Sequence, residues 1–139
     1  MHAFSILKAI RRAAWAAGMA AVFASAPSSG QEALENTPFS YGDGLPDLIA
    51  TCETIRDWAS KSPQTKARID LAVRGKLSRV SGDGALVYLI MCEEPNPKIM
   101  CVTYRTNGMS AGDVVRFGGG FRQLSPEQIV LDPCLASRD

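Results

Sequence analysis

The sequence predicts a small, mainly β domain in which five strands close into a barrel, with one amino-terminal helix. Three observations support this fold class. Between Arg68 and Arg105, three strand-like runs are separated by turn residues, and two further runs follow them. The one helical pattern precedes all five strands. Because closure into a barrel removes exposed strand edges, a barrel is the expected arrangement for so many short strands.

The first 30 residues have the pattern of a secretory signal peptide. Three basic residues precede an apolar run at 13–24, which ends in small residues. This run is too short to span a bilayer, which requires roughly 20 residues. We expect cleavage after Ala26 or after Gly30. The mature protein is therefore predicted to be periplasmic or secreted, without a membrane span.

Removal of the signal leaves a nearly neutral chain without histidine. The bases Lys8, Arg11 and Arg12 precede Gln31 and no acid does, so 12 basic and 14 acidic residues remain, a net charge of −2. This balance disfavours a general nucleic-acid binder. Loss of His2 excludes Ser-His-Asp and Cys-His mechanisms and removes the commonest metal ligand. We predict a non-enzymatic protein without cofactor or metal; a glycosidase-like carboxylate pair is the enzymatic alternative.

Residues 31–46 are predicted to form an extended leader, and residues 47–139 the folded domain. The leader has no apolar period, and Phe39 and Tyr41 are the side chains that would attach it. From Asp47 to Lys61 the apolar residues recur at helical spacing, which predicts a helix of three to four turns. The apolar stripe of this helix consists of Leu48, Cys52, Ile55 and Ala59.

The first strand begins near Ala67 and alternates apolar residues at odd positions with mostly charged residues at even positions. Gly75 interrupts it, which indicates a bend or a bulge. The elements that follow are a turn at 81–84, a strand at 85–92, a loop at 93–98, and strands at 99–106, 114–121 and 129–132. The strand at 114–121 carries Val115 and Phe117 on one face and ends in three glycines, which predict another bend or bulge.

The second and third strands are predicted to pair with Cys92 opposite Cys101, so that paired residue numbers sum to 193. This register gives one apolar core face, made of Val87, Leu89, Met91, Met100, Val102 and Tyr104. It places Tyr88 directly opposite Arg105 on the outer face, beside Thr103. A slip of one residue would mix apolar and polar side chains on both faces.

Two segments resemble exported bacterial proteins of the OB-fold type. They are GKLSRVSGDGALVYLIMC, with Gly75 in the first strand, and GDVVRFGGGF at the fourth strand. The resemblance covers about residues 66–133 and implies a five-stranded OB-fold-like barrel whose ligand face lies on the second and third strands. One departure is the connection at 107–112, which has no room for the usual helix between the third and fourth strands. The amino-terminal helix is expected to cap the barrel instead.

Four cysteines remain in the mature chain, and in an oxidising compartment they are expected to form two disulfides. Spacing alone leaves three pairings open, and no CxxC motif indicates zinc or redox chemistry. The barrel layout favours a Cys92–Cys101 bond across the hairpin. It also favours a Cys52–Cys134 bond, which would tie the helix to the last strand.

The candidate ligand-binding residues are Tyr88, Thr103 and Arg105 on the outer face of the second and third strands. Arg74 and Lys76 on the first strand are further candidates for an anionic ligand. In the plainer interpretation, Tyr88 packs under the leader or the helix and the basic side chains are solvated. We predict a monomer that binds an oligomeric ligand or a macromolecular partner through this face. The alternative is a structural or inhibitor-like domain that contacts a partner protein through the 93–98 loop.

Overall fold

The computed structural model of the protein describes residues 34–42 and 46–139, together with Ala21. The predicted signal peptide and its cleavage site lie outside these ranges. Within them, no helix is long and apolar enough to cross a membrane. The elements are β1 Phe39–Tyr41, β2 Ala50–Thr51, α1 Ile55–Ser60, β3 Ile69–Gly82, β4 Val87–Met91, β5 Lys98–Thr103, β6 Val114–Ser125 and β7 Gln128–Arg138.

Strands β3 to β7 form a closed five-stranded barrel. They follow the order β3-β4-β5-β7-β6, and β6 returns to pair with β3. All neighbours in the barrel are antiparallel except β5 and β7, which are parallel. The two short strands β1 and β2 add to β3 from outside the barrel. The predicted fold class, a mainly β barrel of five strands with one amino-terminal helix, is confirmed.

The barrel core is filled by the inward faces that strand alternation specifies. Odd positions of β3 up to Leu77 are buried apart from Gly75, which is half-buried, and β6 buries Val115 and Phe117, as predicted. The largest fully buried side chains are Phe39, Phe117, Ile55, Leu71, Leu77, Leu89, Met91, Ile99, Ile129, Leu131, Val73 and Val115. Phe39 comes from the leader and packs edge-on against Phe121, with 5.3 Å between the ring centroids. The β1 strand is therefore attached to the barrel through this ring.

The helix is shorter than the three to four turns predicted. Ala50 and Thr51 form β2, which pairs with β3, so the chain must turn sharply before the helix begins. In that turn the Oγ1 of Thr54 accepts a hydrogen bond from the N–H of Thr51 at 2.9 Å. Ile55 of the predicted apolar stripe is buried, whereas Leu48 is exposed.

The predicted register between the second and third barrel strands is wrong. Tyr88 pairs with Val102 and Leu89 pairs with Cys101, so paired numbers sum to 190 rather than 193. An odd change in this sum exchanges the two faces of β5, because side chains alternate along a strand. Cys101 is consequently buried and Val102 lies on the outer face, whereas Tyr104, assigned to the core, is 77% exposed.

Both predicted disulfides are also wrong. Cys52 is bonded to Cys92, and Cys101 is bonded to Cys134, with 5.4 Å between the Cα atoms of each pair. The reason is that β4 ends at Met91, so Cys92 has left the ladder and has a left-handed backbone with φ of 69°. It meets the amino-terminal segment instead of β5. The first bond ties that segment to the barrel, and the second joins the neighbouring strands β5 and β7.

Gly75 does not mark a bulge, since the irregularity of β3 lies between Leu77 and Arg79. A Cβ at Gly75 would lie 2.8 Å from the Sγ of Cys52, so this glycine leaves room for the Cys52–Cys92 disulfide. The predicted bulge at the glycine triplet is confirmed, because the β6–β7 register shifts between Gly119 and Phe121.

Candidate functional site

A row of side chains crosses the outer face of the barrel from β3 to β6. Strand pairing places Arg79 beside Ile90, Ile90 beside Met100, Met100 beside Val130, and Val130 beside Arg122. Four steps of about 4.8 Å between strands separate the two arginines by about 19 Å along the sheet. We call these five residues the arginine-flanked row. Its centre is apolar and each end carries a cation.

The side chains next to this row extend its apolar centre. Tyr88 and Val102 are paired and half-buried, like Ile90 and Met100 beside them. Among the described residues, neither Arg79 nor Arg122 forms an ion pair. The outer face of β4 and β5 therefore carries a half-buried apolar surface, which continues to the buried Val130 of β7 and has one guanidinium group at each end.

The β3–β4 turn fixes the position of the Tyr88 ring. The Tyr88 hydroxyl donates a hydrogen bond to Oδ2 of Asp83 at 2.8 Å, while Oδ1 of Asp83 accepts the N–H groups of Leu86 and Ala85 at 2.7 and 2.9 Å. These bonds from Leu86, Tyr88 and Ala85 lower the pKa of the Asp83 carboxyl. The bond to Asp83, and more weakly the charge of Asp132, raise the pKa of Tyr88.

We expect Asp83→Asn to reduce the acid sensitivity of the fold. Because the folded-state pKa of Asp83 is below its unfolded value of about 3.9, the ionised carboxylate stabilises the fold above that pH. This stabilisation is lost as the pH falls through the folded-state pKa. The urea midpoint should therefore drop less between pH 7 and pH 3 in Asp83→Asn than in the wild type. Tyr88→Phe should be intermediate, and equal drops in all three proteins would contradict this role of Asp83.

The structure does not assemble the predicted group of Tyr88, Thr103 and Arg105. Tyr88 lies on the outer face, but Thr103 pairs with Val87 at inward-facing positions. Arg105 follows the end of β5 and is exposed. These placements follow from the corrected register, which puts Val102 rather than Arg105 opposite Tyr88.

Arg79 and Arg122 are functional candidates that the sequence pattern did not reveal. The irregularity after Leu77 moves Arg79 from an inward position to an outward one. Arg122 lies beyond the predicted end of its strand, since β6 continues to Ser125. The break in apolar alternation at Ser78-Arg79-Val80 is the signal that indicates the first of these changes.

Arg74 and Lys76 lie on a different part of the barrel, where β3 pairs with β6 rather than with β4. They line an open groove of about 800 Å³. The lining of this groove also includes the Cys52–Cys92 disulfide and three acidic residues, Glu53, Glu93 and Glu94. The five predicted ligand-binding residues are thus divided between separate surfaces.

No family model matches the chain. No curated protein matches its sequence either.

The chemistry of the described side chains does not point to a metal centre or a reactive thiol. Within residues 34–42 and 46–139, no group of three or more Cys, Asp or Glu residues is placed to hold a metal ion. All four cysteines are in disulfides.

The 93–98 loop is held to the helix by one arginine. Arg56 of α1 donates to the carbonyl oxygen of Pro95 at 2.7 Å and to both carboxylate oxygens of Glu127 at 2.8 and 3.0 Å. The bonds to Glu127 raise the pKa of Arg56, and the same contact lowers the pKa of Glu127. Arg56 thus connects α1 with the β4–β5 loop and the β6–β7 turn.

Proposed function

We propose that this protein is an exported, non-enzymatic binding domain of the OB-fold type that contacts a partner protein through the outer face of β4, β5 and β7. The single observation that supports it best is the arginine-flanked row. Its apolar centre lies between two arginines that form no ion pair with the described residues.

The composition of this face favours a protein as the partner. Tyrosine, methionine and arginine are enriched in the cores of protein interfaces, and Tyr88, Met100 and the two arginines supply these types here. A stacking platform for single-stranded nucleic acid would need several aromatic rings, and the face offers one. The expected partner surface carries an apolar centre flanked by carboxylates, since arginine forms bidentate bonds to carboxylate groups.

Export is the second part of the proposal. Both disulfides belong to the described domain, and such bonds persist in oxidising compartments such as the periplasm. The signal-like pattern of the first 30 residues agrees with this location. The closed five-stranded barrel supports the OB type, in which this outer face is the usual binding surface.

The proposal is tested by capturing partners from periplasmic extract on the mature protein and measuring the Kd of the captured partner with purified variants. Met100→Asp places a charge in the apolar centre and should weaken binding at least about tenfold. Arg79→Glu and Arg122→Glu should each weaken it, because they repel the expected carboxylates. Arg105→Glu is the matched control, an exposed arginine outside the row, and should keep the wild-type Kd.

Circular dichroism and urea midpoints establish that each variant is folded. A Kd that is unchanged by Met100→Asp would contradict the proposal. Equal weakening by all three arginine variants would also contradict it, because the effect would then reflect overall charge rather than this face.

A second candidate function is contact with a partner protein through the 93–98 loop. The hydrogen bond from Arg56 to the carbonyl oxygen of Pro95 favours it. A loop that is already fixed in position loses less conformational entropy on binding than a mobile one. The same capture experiment distinguishes the two surfaces. If exchange of Glu93 and Glu94 for lysine abolishes capture while Met100→Asp does not, the loop is the contact. The outer-face proposal expects Met100→Asp to abolish capture and the exchange of Glu93 and Glu94 to leave it intact.

A further inference from the structure

Met100 differs from the other methionines of the described residues in its exposure to solvent. Of the five methionines in the sequence, Met1 and Met19 belong to the predicted signal peptide. Met91 and Met109 are core residues, 0% and 5% exposed, whereas Met100 is half-buried on the outer face of β5. A small solute in water therefore has better access to the side chain of Met100 than to those of the two core methionines.

No free thiol competes with Met100 for a mild two-electron oxidant. Thiolates are the other sulfur groups that such oxidants attack, and all four cysteines are already in disulfides. Methionine is oxidised to methionine sulfoxide, and the change is reversible by dedicated reductases. Within residues 34–42 and 46–139, the thioether of Met100 is thus the sulfur group most open to this chemistry.

Met100 is also the middle residue of the arginine-flanked row. Ile90 and Val130 are its neighbours on the two adjacent strands, and each arginine lies two strand spacings away, about 10 Å along the sheet. Oxidation turns the apolar thioether into a sulfoxide, whose polar oxygen is costly to bury without a hydrogen-bond donor. The side chains of Ile90 and Val130 supply no donor. A partner surface that covers an apolar Met100 is therefore poorly matched to its sulfoxide.

We propose that Met100 is an oxidation site and that its conversion to the sulfoxide releases the partner protein from the outer face. This switch acts on the contact of the proposed function and rests on it. Hydrogen peroxide transfers one oxygen atom to the Met100 sulfur: the O–O bond breaks, an S–O bond forms, and the second oxygen leaves as water. The sulfur loses two electrons and the peroxide gains them. A methionine sulfoxide reductase with a dithiol as electron donor restores the thioether, forming one water and one disulfide.

The first measurement concerns the oxidation itself and needs no partner. The mature protein is treated with hydrogen peroxide, and peptide mass spectrometry follows the oxidation of each methionine with time. Met100 should be oxidised at least about tenfold faster than Met91 and Met109, because the oxidant must reach the sulfur. Equal rates at the three positions would overturn the proposal, since opening of the barrel rather than exposure of Met100 would then control the reaction.

The second measurement is the Kd of the partner captured from periplasmic extract, with circular dichroism to establish that each oxidised protein is folded. Peroxide-treated wild type should bind at least about tenfold more weakly than untreated protein, and sulfoxide reductase should restore the original Kd. Met100→Leu keeps an apolar side chain of similar volume without the sulfur, so it should bind within about threefold of the wild type and ignore peroxide. Met109→Leu is the matched control, which retains Met100 and should stay sensitive.

These variants separate failure of the switch from failure of the proposed function. If Met100→Asp weakens binding but the sulfoxide of Met100 does not, the outer face is the contact and the oxidation switch is wrong. If neither change alters the Kd, both the contact and the switch are wrong. Loss of binding in peroxide-treated Met100→Leu would place the sensitive group elsewhere and would also overturn the switch.

Discussion

Gly119→Ala should lower the free energy of unfolding by about 3 kcal/mol. A Cβ at this position would lie 2.3 Å from the carbonyl oxygen of Pro133 and 2.8 Å from the Cα of Cys134. Both are backbone atoms, so the clash is relieved only if β6 and β7 separate at the bulge. Because this strand pair helps to close the barrel, the whole domain is expected to lose stability, measured as a lower urea midpoint.

Gly118→Ala is the matched control for this substitution. A Cβ at Gly118 meets no atom within 4 Å, and the residue is exposed on the same strand. The free energy of unfolding of Gly118→Ala should stay within about 0.5 kcal/mol of the wild-type value. Similar losses in both variants would mean that any side chain in the glycine triplet is harmful, and the close approach at Gly119 would not be the cause.

Removal of either disulfide should also lower the free energy of unfolding substantially. The bonds close loops of 40 and 33 residues, and disulfides of this kind contribute about 2–4 kcal/mol, mainly by restricting the unfolded chain in the chain-entropy model. A domain of this size is stable by only about 5–15 kcal/mol. The free energy of unfolding should fall further in the double variant Cys101→Ala, Cys134→Ala than in the double variant Cys52→Ala, Cys92→Ala. The reason is that Cys101 and Cys134 are both buried, whereas Cys52 is partly exposed.

Urea unfolding of the two double variants, each retaining one bond, measures this difference. Peptide mapping without reduction should recover Cys52 linked to Cys92 and Cys101 linked to Cys134. A fragment that links Cys92 to Cys101 would contradict the register of β4 and β5. Loss of the same stability from both variants would contradict the greater role given to the buried bond.

The barrel itself could be predicted from the sequence because strand alternation is a local property. Ile69, Leu71 and Val73 reveal the inward face of β3 without knowledge of its partners. The glycine triplet likewise indicates a bulge, since residues without a Cβ are needed where two backbones approach closely.

The register and the disulfides could not be predicted in the same way. Both β4 and β5 are apolar on two faces, so several registers give an apolar core face, and the hypothesis of Cys92 opposite Cys101 selected the wrong one. The decisive feature is the left-handed backbone of Cys92, which turns the chain out of the ladder. Apolar periodicity carries no signal for a positive φ at a cysteine.

The residues of the candidate site could be predicted only as far as the register and the strand irregularities could. Tyr88 was identified correctly as an outward side chain, but its neighbours on β5 followed from the register. Arg79 became visible only through the irregularity after Leu77, and Arg122 only through the full length of β6. Long-range strand pairing, rather than local sequence, brings the arginine-flanked row together.

Hydroxyl-radical footprinting of the mature protein with and without its captured partner tests the central claim most directly. Tyr88 and Met100 are oxidisable and half-buried on the proposed contact face, while Tyr104 is 77% exposed after the end of β5 and serves as the internal reference. The proposed contact predicts that the partner protects Tyr88 and Met100 from oxidation and leaves Tyr104 reactive. Unchanged oxidation of Tyr88 and Met100 in the complex would contradict it.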